Sequence, residues 1–491
     1  QVLPLSWAGL SEWCDVVIGD YNYLFDPTVH LRHFFDAAGD YIFLIDEAHN
    51  LPDRARAMYS ARFCKSSLTD ARRVIGKGKS ALKTALTKAD RGFLEARRAV
   101  AKLAPRRGPS PTESPAEDST QQTSLLDTEP AEAVFPLPEP LLARDGTVFL
   151  QELPKELLRL LFSLQAPLQE WLEANPEADA HAQLLELYFA VQDITRAAER
   201  YDAHFVTQLT ARGSELEWEL LCLDPAPFVD ASLAAGRAAA LFSATLTPPG
   251  YYRSVLGCSD AGPWLWKAHF RPNIWGSTAC PASPPATGTG RPAFRPSRMH
   301  WPHWPEPRWA TIWPFSPATP ICGRYMRTSP PVTRTSERWP RRVVWTTRPE
   351  RPFWNGSAQA PQKHCWASES VGGIFGEGVD LVGDRLIGCA IVGVGLPQVN
   401  PRQEILRRYY DEAGGTGFDY AYRFPGMNKV LQAAGRVIRT QEDRGVVLLL
   451  DDRFARAEYT RLFPRHWHQL QYLRSTTELE QQLAAFWALN Q

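Results

Sequence analysis

Apolar positions along this chain change period several times, and each change predicts a different element. Tyr41-Ile-Phe-Leu-Ile45 is a continuous apolar run that ends in Asp46, Glu47 and, two residues on, His49. An unbroken run of that length predicts a strand buried on both faces, as in a parallel sheet. The acids then stand at the strand's carboxyl end, where open α/β sheets place their ligands. With Val16-Val-Ile-Gly19 ahead of it, the stretch 11–60 reads as strand, loop, strand, helix. Residues 61–104, rich in Ala, Arg, Lys and Leu, read as helix. Residues 105–140 are rich in Pro, Ser, Thr and Glu and lack the spacing that buries a face, which predicts a flexible loop. Helical periodicity returns over 150–212, where Leu157, Leu158, Leu160, Leu161, Leu164, Leu168 and Trp171 recur in steps of three and four. Residues 218–246 predict a strand, a helix and the short Ser243-Ala-Thr245 end of a buried run. Beyond 371, Arg385–Val394 and Gly445–Asp451 read as parallel-type strands, with helices from Gln398 through Tyr410 and from Met427 to Ile438.

Composition changes this picture in the middle. Between Lys267 and Ser368 there is no leucine and no aspartate, and the acids are Glu306, Glu337 and Glu350 against fifteen Lys and Arg. Nine of the seventeen tryptophans and eighteen prolines fall there. Leucine is normally among the commonest residues, so its loss over a hundred positions is no sampling accident. Proline at this density stops helices and central strands. GC-rich DNA read in the wrong frame gives such a composition, and two compensating frameshifts are expected, near 266–272 and 366–371. The alternative is a genuine Pro/Trp-rich insertion. On the first reading 267–370 is irregular coil, the strands from Arg385 and Gly445 lack neighbours, and His300-Trp-Pro-His303 is not a metal site.

The bounds from charge and cysteine are broad. The 491 residues suffice for about three domains. Formal net charge is zero, so a nucleic-acid track would have to be local. No run of 18 apolar residues predicts a membrane span, and no charged segment followed by an apolar core predicts a signal peptide. The eight cysteines (14, 64, 222, 258, 280, 322, 365, 389) form no CxxC pair. A reducing cytoplasm is the expected compartment.

Four short motifs then occur in a telling order. Asp46-Glu-Ala-His49 matches the Walker B box of superfamily-two helicases, and Leu241-Phe-Ser-Ala-Thr-Leu246 looks like their motif III. Gly376-Glu-Gly-Val-Asp380 looks like motif V, and Gln432-Ala-Ala-Gly-Arg-Val-Ile-Arg439 like motif VI. The last, with Glu442-Asp443-x-Gly445 and Leu450-Asp-Asp-Arg-Phe454, is similar to the DinG/XPD branch of DNA helicases, as is Asp15-Val-Val-Ile-Gly-Asp-Tyr-Asn-Tyr-Leu-Phe-Asp26. The resemblance covers roughly 11–266 and 371–470. It implies an α/β fold: two RecA-like parallel-sheet motor domains, both incomplete, around an inserted α-helical arch-like domain. The expected divisions are 1–60 and 218–266 for the first motor domain, 61–217 for the insertion, 267–370 for the aberrant segment and 371–491 for the second motor domain.

The resemblance also implies roles. ATP hydrolysis needs a phosphate cradle, a metal, a positioned water and positive charge for the transition state. Asp46 would hold Mg²⁺ through its water shell, Glu47 would orient and deprotonate the attacking water, and His49 would relay the presence of nucleotide. Arg436 and Arg439 share a helix face. With Gln432 a turn earlier, they would reach the γ-phosphate as arginine fingers, a task for which guanidinium is suited. Glu377, Gly378 and Asp380 would link DNA contacts to the nucleotide, with Gly376 and Gly378 letting backbone approach. Ser243 and Thr245 would couple nucleotide state to domain closure and lie toward nucleic acid, although Ser-Ala-Thr alone is as easily a helix cap. Asp20, Tyr21, Asn22 and Tyr23 could meet single-stranded bases by stacking. A hydrophobic anchoring role for Tyr23 and Phe25 stays open.

Two parts of the pattern are missing. No Gly-x-x-x-x-Gly-Lys-Ser/Thr occurs, and Gly76-Lys-Gly-Lys79 does not fit it. In the family that loop lies well over a hundred residues before the acid box, so the ATP-binding half is expected to be truncated. The branch often carries an iron–sulfur cluster on four cysteines, but only Cys14 lies nearby, and one thiolate holds no cluster. The expectation is thus an ATP- and Mg²⁺-dependent helicase by family, a monomer moving 5′ to 3′ on single-stranded DNA, off the membrane, with this chain inactive alone. The alternative is a non-catalytic remnant that at most binds DNA or a protein partner.

Overall fold

The computed structural model describes residues 11, 13–75, 80–105, 135–263, 275–279, 312–316, 369–370, 388–437 and 443–489. They divide into two units, one of residues 1–243 and 252–261, the other of 244–251 and 262–491. Each is taken by itself.

The first unit opens with short helices α1 (Asn22–Phe25) and α2 (Arg32–Phe35), then strand β1 (Ile42–Ile45) and helix α3 (Leu51–Tyr59). The expected strand at Val16–Gly19 is not formed; these residues are exposed and in no regular element. Strand β2 (Ala61–Cys64) and helices α4 (Lys65–Val74) and α5 (Ala81–Leu103) follow, so the stretch expected as all helix begins with a strand. Next come β3 (Pro140–Arg144), β4 (Thr147–Leu150), α6 (Lys155–Ala174), α7 (His181–Glu199), β5 (Phe205–Arg212), β6 (Glu215–Cys222), α8 (Ala226–Leu233) and β7 (Ala238–Leu241). The loop expected at 105–140 falls largely outside the described residues.

Two sheets result. β1 and β7 pair in parallel, Ile42 opposite Ala238 through Ile45 opposite Leu241. β2, β6, β5, β4 and β3 form an antiparallel sheet in that order. The insertion is therefore not purely helical, and its sheet runs to Cys222, past the boundary expected at 217. Its helices cover one sheet face. Leu157, Leu161, Leu164, Leu168 and Leu172 form the buried stripe of α6, at the three- to four-residue spacing of a helix face. They meet Trp218, Phe63, Phe93 and the α7 residues Leu184, Leu187, Val191 and Ile194 in one core. Gly92 lets α5 and α6 approach, because a Cβ there would meet Leu160 Cδ1 at 2.3 Å. Asp90 on α5 is gripped by Lys65 at 2.8 Å and by Arg72. Burial alone would raise its pKa, but the hydrogen bonds and charges of Lys65 and Arg72 outweigh that and hold it below the usual carboxylate range. The insertion's ends are stapled: Cys222 N donates to Ser60 Oγ at 3.0 Å and Arg56 Nε to the Leu223 carbonyl at 3.0 Å.

β1 departs from expectation. Phe43 and Ile45 point inward, while Ile42 and Leu44 are 62% and 70% exposed. A parallel strand is apolar on both faces because helices normally cover both. Among the described residues nothing covers the outer face of this pair.

The second unit holds a six-stranded parallel sheet. Its strands are β8 (Trp275–Ala279), β9 (Ile312–Ser316), β10 (Glu369–Ser370), β11 (Gly388–Val392), β12 (Gly445–Leu450) and β13 (Gln471–Tyr472), ordered β10-β9-β11-β12-β8-β13. β11 and β12 are nearly continuous buried apolar runs, as a central parallel strand should be. Two parts of the Pro/Trp-rich block are thus strands and not coil, and they supply neighbours to β11 and β12. In β9, Pro314 stands opposite Ala390, and the described residues of β10 pair with Phe315 and Ser316.

Helix α9 (Pro401–Glu412) is capped by Asn400, whose Oδ1 accepts from Gln403 N at 2.9 Å, with proline at the first helical position. Helix α10 (Phe424–Gly435) follows a π-turn over Asp419–Arg423 and ends before the expected Ile438. Gly395, at φ 66°, lies against it; a Cβ there would meet the Gly426 carbonyl oxygen at 2.5 Å. Asp419 is buried between Arg423 and Arg461, the latter at 3.0 Å. The last helix, α11 (Thr476–Leu489), buries Leu479, Leu483 and Trp487 on Val446, Leu448 and Ala390. No helix among the described residues is long and apolar enough to cross a membrane.

Candidate functional site

β1 delivers Asp46 and Glu47 at its carboxyl end, both exposed. The chain turns there through a left-handed residue: Glu47 has φ 47° and ψ 40°, an uncommon conformation for a side chain other than glycine. Such strain persists only where surroundings fix it, and it clusters at working sites. Here several contacts fix it. The Glu47 amide donates to Asp46 Oδ1 at 2.7 Å, and the Ala48 amide donates to the Phe242 carbonyl at 3.1 Å. His49 Nδ1 lies 2.7 Å from Ser243 Oγ and 3.1 Å from Glu47 Oε2. Ser243 Oγ in turn donates to Glu47 Oε2 at 3.2 Å. His49 is 7% exposed and Glu47 61%, so a buried imidazole and a hydroxyl hold one side of a carboxylate whose other side faces solvent.

This arrangement suits metal-assisted hydrolysis. An open carboxylate can hold Mg²⁺ through water, because that ion keeps most of its shell. A second carboxylate, oriented by hydrogen bonds, can position a water molecule. Asp46 and Glu47 fit these tasks by exposure and by their place at the sheet's ligand-binding end. The described residues offer no group of three or more His, Cys, Asp or Glu able to hold a metal by themselves. The described thiols fit no cluster either. Burial pushes Cys222 up to about 12 and Cys389 higher still, away from the thiolate a cluster needs, and Cys14 is exposed and isolated in sequence.

Other expected residues are distributed differently. Ser243, half-buried, joins the acid box across 194 residues of sequence. Thr245 is buried. Asp20 accepts from the Asn22 amide at 3.2 Å and pairs with Arg54 at 3.2 Å. The Tyr21 hydroxyl donates to the Asp46 carbonyl, which engages the ring expected to stack on bases. Tyr23 is half-buried, its carbonyl accepting from the Leu31 amide, and Phe25 is the anchor of α1 at 1% exposure. Gln432 and Arg436 stand one turn apart at the end of α10 in the second unit, both half-buried. Gly376, Glu377, Gly378, Asp380 and Arg439 lie outside the described residues. Arg54 is the participant that sequence reasoning missed. Its position four residues after the Asn50 that ends the acid-box turn, on the next helix, was the only available signal.

Comparisons with known proteins converge on one family. Residues 8–68 match the DEAD_2 family model, and residues 352–470 match the helicase C-terminal domain model. The chain is similar to helicases of the DinG/XPD type. It is 36% identical over 89 residues to the ATP-dependent DNA helicase DinG of Photobacterium profundum, covering 18% of this chain and 13% of that protein. It is 36% identical over 110 residues to the regulator of telomere elongation helicase 1 of Bos taurus, covering 19% and 9%. The chain thus spans a small part of the length of the curated relatives it matches. Among solved structures, Xpd4 of S. tokodaii superposes with a TM-score of 0.53 at 13% identity over 92% of this chain and 81% of that one, which supports the α/β helicase fold. The C-terminal match begins at residue 352, inside the Pro/Trp-rich block.

Proposed function

We propose that the chain is part of an ATP-dependent DNA helicase, a motor that couples ATP hydrolysis to movement along single-stranded DNA. The observation that carries this reading is the acid box: two exposed carboxylates at the end of a parallel strand, with Glu47 held in a left-handed turn by His49 and Ser243. Bound Mg²⁺·ATP would supply an electrophilic phosphorus whose charge the metal helps to neutralise. Asp46 would hold the metal's water shell. Glu47 would accept a proton from the attacking water, with its free lone pairs directed by its bonds to His49 and Ser243. Arg436 and Arg439 would bring charge to the transition state, with Gln432 joining them at the γ-phosphate, and Glu377, Gly378 and Asp380 would tie DNA contacts to the nucleotide. The motor domains would be 1–60 with 218–266, and 371–491. The block 267–370 would be out of frame, which sequencing of the parent DNA checks: an uninterrupted frame through 266–272 and 366–371 rejects it.

These 491 residues contain no Gly-x-x-x-x-Gly-Lys-Ser/Thr loop, whose amides and lysine hold the β- and γ-phosphates. A polypeptide of this sequence is therefore expected to show no ATPase above background, with or without single-stranded DNA. DNA-stimulated turnover that is lost on Glu47→Gln would overturn that expectation. A second reading is a non-catalytic DNA- or protein-binding remnant. Binding to labelled single-stranded DNA without turnover would fit that reading.

A further inference from the structure

The carbonyl of Asp46 lies just past the end of the β1–β7 ladder, whose register stops at Ile45 opposite Leu241. It takes its donor from the hydroxyl of Tyr21, 25 residues upstream. Tyr21 is itself held from two sides. The Arg54 guanidinium lies over its ring at 5.2 Å from the centroid. Arg54 is tied back to Asp20, Tyr21's neighbour in sequence, at 3.2 Å. Phe25 packs edge-on at 6.5 Å, and it is fully buried.

We infer that Tyr21 is a positioning residue of the acid box, fixing through the Asp46 carbonyl the peptide plane from which the left-handed turn at Glu47 departs. This rests on the metal- and water-directing roles proposed for Asp46 and Glu47. The peptide between these two residues carries the Asp46 oxygen on one side and the Glu47 amide on the other. The amide is already engaged by Asp46 Oδ1 at 2.7 Å. With the oxygen engaged by Tyr21, the plane is pinned at both ends, and both carboxylates leave it in defined directions. Loss of one pin would let the plane rotate and Glu47 relax toward right-handed backbone, where a side chain is less strained. Arg54 contributes by holding the ring in place through its face, so the tyrosine cannot swing outward.

Tyr21→Phe keeps the ring, the Phe25 contact and the Arg54 contact, and removes only the hydroxyl. Amide exchange at Glu47 and Ala48 in the full chain should quicken about five-fold, the effect of one backbone-directed hydrogen bond, while exchange in the insertion sheet stays unchanged. Unchanged exchange in Tyr21→Phe overturns the inference. A second readout places 3-fluorotyrosine at position 21 alone as a reporter beside the acid box. MnCl₂ alone tests the metal role separately. Broadening of the position-21 fluorine signal that disappears in Asp46→Asn supports that role. No broadening rejects the metal role while the exchange result still decides the fate of Tyr21.

Discussion

The leucines of α6 and the leucine of β1 meet opposite fates within one unit. Leu157, Leu161, Leu164 and Leu168 are wholly buried, sandwiched between an antiparallel sheet and neighbouring helices. Leu44 is largely exposed on a strand of equal apolarity. The insertion closes its core with its own residues, because every helix stripe has a sheet face or another helix opposite it. The parallel pair has only half of what a parallel strand needs, and its spare face carries Ile42 and Leu44 to solvent. Apolarity in a sequence therefore measures demand for cover, and only the fold decides whether the demand is met.

The largest expected effect breaks the comparison at its stronger side. Leu164→Ala should cost the insertion about 2–5 kcal/mol, the transfer term plus the cavity left in a core that cannot collapse freely. Leu44→Ala, the same chemical change, should cost less than about 0.5 kcal/mol, as an exposed position does. Chemical denaturation followed by circular dichroism compares the two variants. Equal losses would mean that Leu44 is covered in solution.

An intermediate effect concerns charge. Asp90 is the insertion's gripped carboxylate, with a folded pKa below its ordinary value. A depressed carboxylate adds stability above its unfolded pKa and loses it as pH falls through the folded value. The unfolded pKa is about 3.9, so the contribution is intact at pH 7 and fades below roughly pH 4. Asp90→Asn should lower stability at pH 7 by about 1–2 kcal/mol, since Lys65 and Arg72 lose their partner, with part of that screened by water. The difference between the two proteins should narrow as pH falls below about 4 toward the folded pKa. Thermal melts by circular dichroism at pH 7, 5 and 3 check this, and a gap undiminished at pH 3 counts against it.

The smallest effect on stability lies at the open strand face. Ile42→Thr with Leu44→Thr should leave the melting of the insertion unchanged. It should also reduce concentration-dependent light scattering, because the bare face and edges are the surface most apt to self-associate. Unaltered scattering would place the sticky surface elsewhere.

How far the sequence could be read follows the same division. β12 was legible because Gly445–Leu450 is apolar at every position, and α6 because its leucines keep helical spacing over five turns. β5 and β6 were readable in principle. Glu215, Glu217 and Glu219 alternate with Leu216, Trp218 and Leu220, and Gly213, at φ 57°, marks the turn before them. The helical period just upstream masked that alternation. β2 is four residues long, too short to show any period. β8 and β9 were hidden by composition: the density of proline in the block argued against strands, yet β8 contains none and β9 accommodates Pro314. In the site, Asp46 and Glu47 were readable from their place after an apolar run. The bond between His49 and Ser243 was not, since nothing local links residues 194 positions apart. Tyr21 was singled out for its aromatic face, but its hydroxyl proved the more informative group.

The staple at Ser60, Arg56, Cys222 and Leu223 brings the two ends of the insertion together at one point of the body. β2 and β6, its first and last strands, are direct neighbours, with Ala61 opposite Leu220. A segment whose ends meet can grow, shrink or be exchanged without shifting the register of β1 on β7. The fold thereby separates two histories. The acid box is bound to its strand pair residue by residue, while the large body between those strands is free to diverge as a self-contained module.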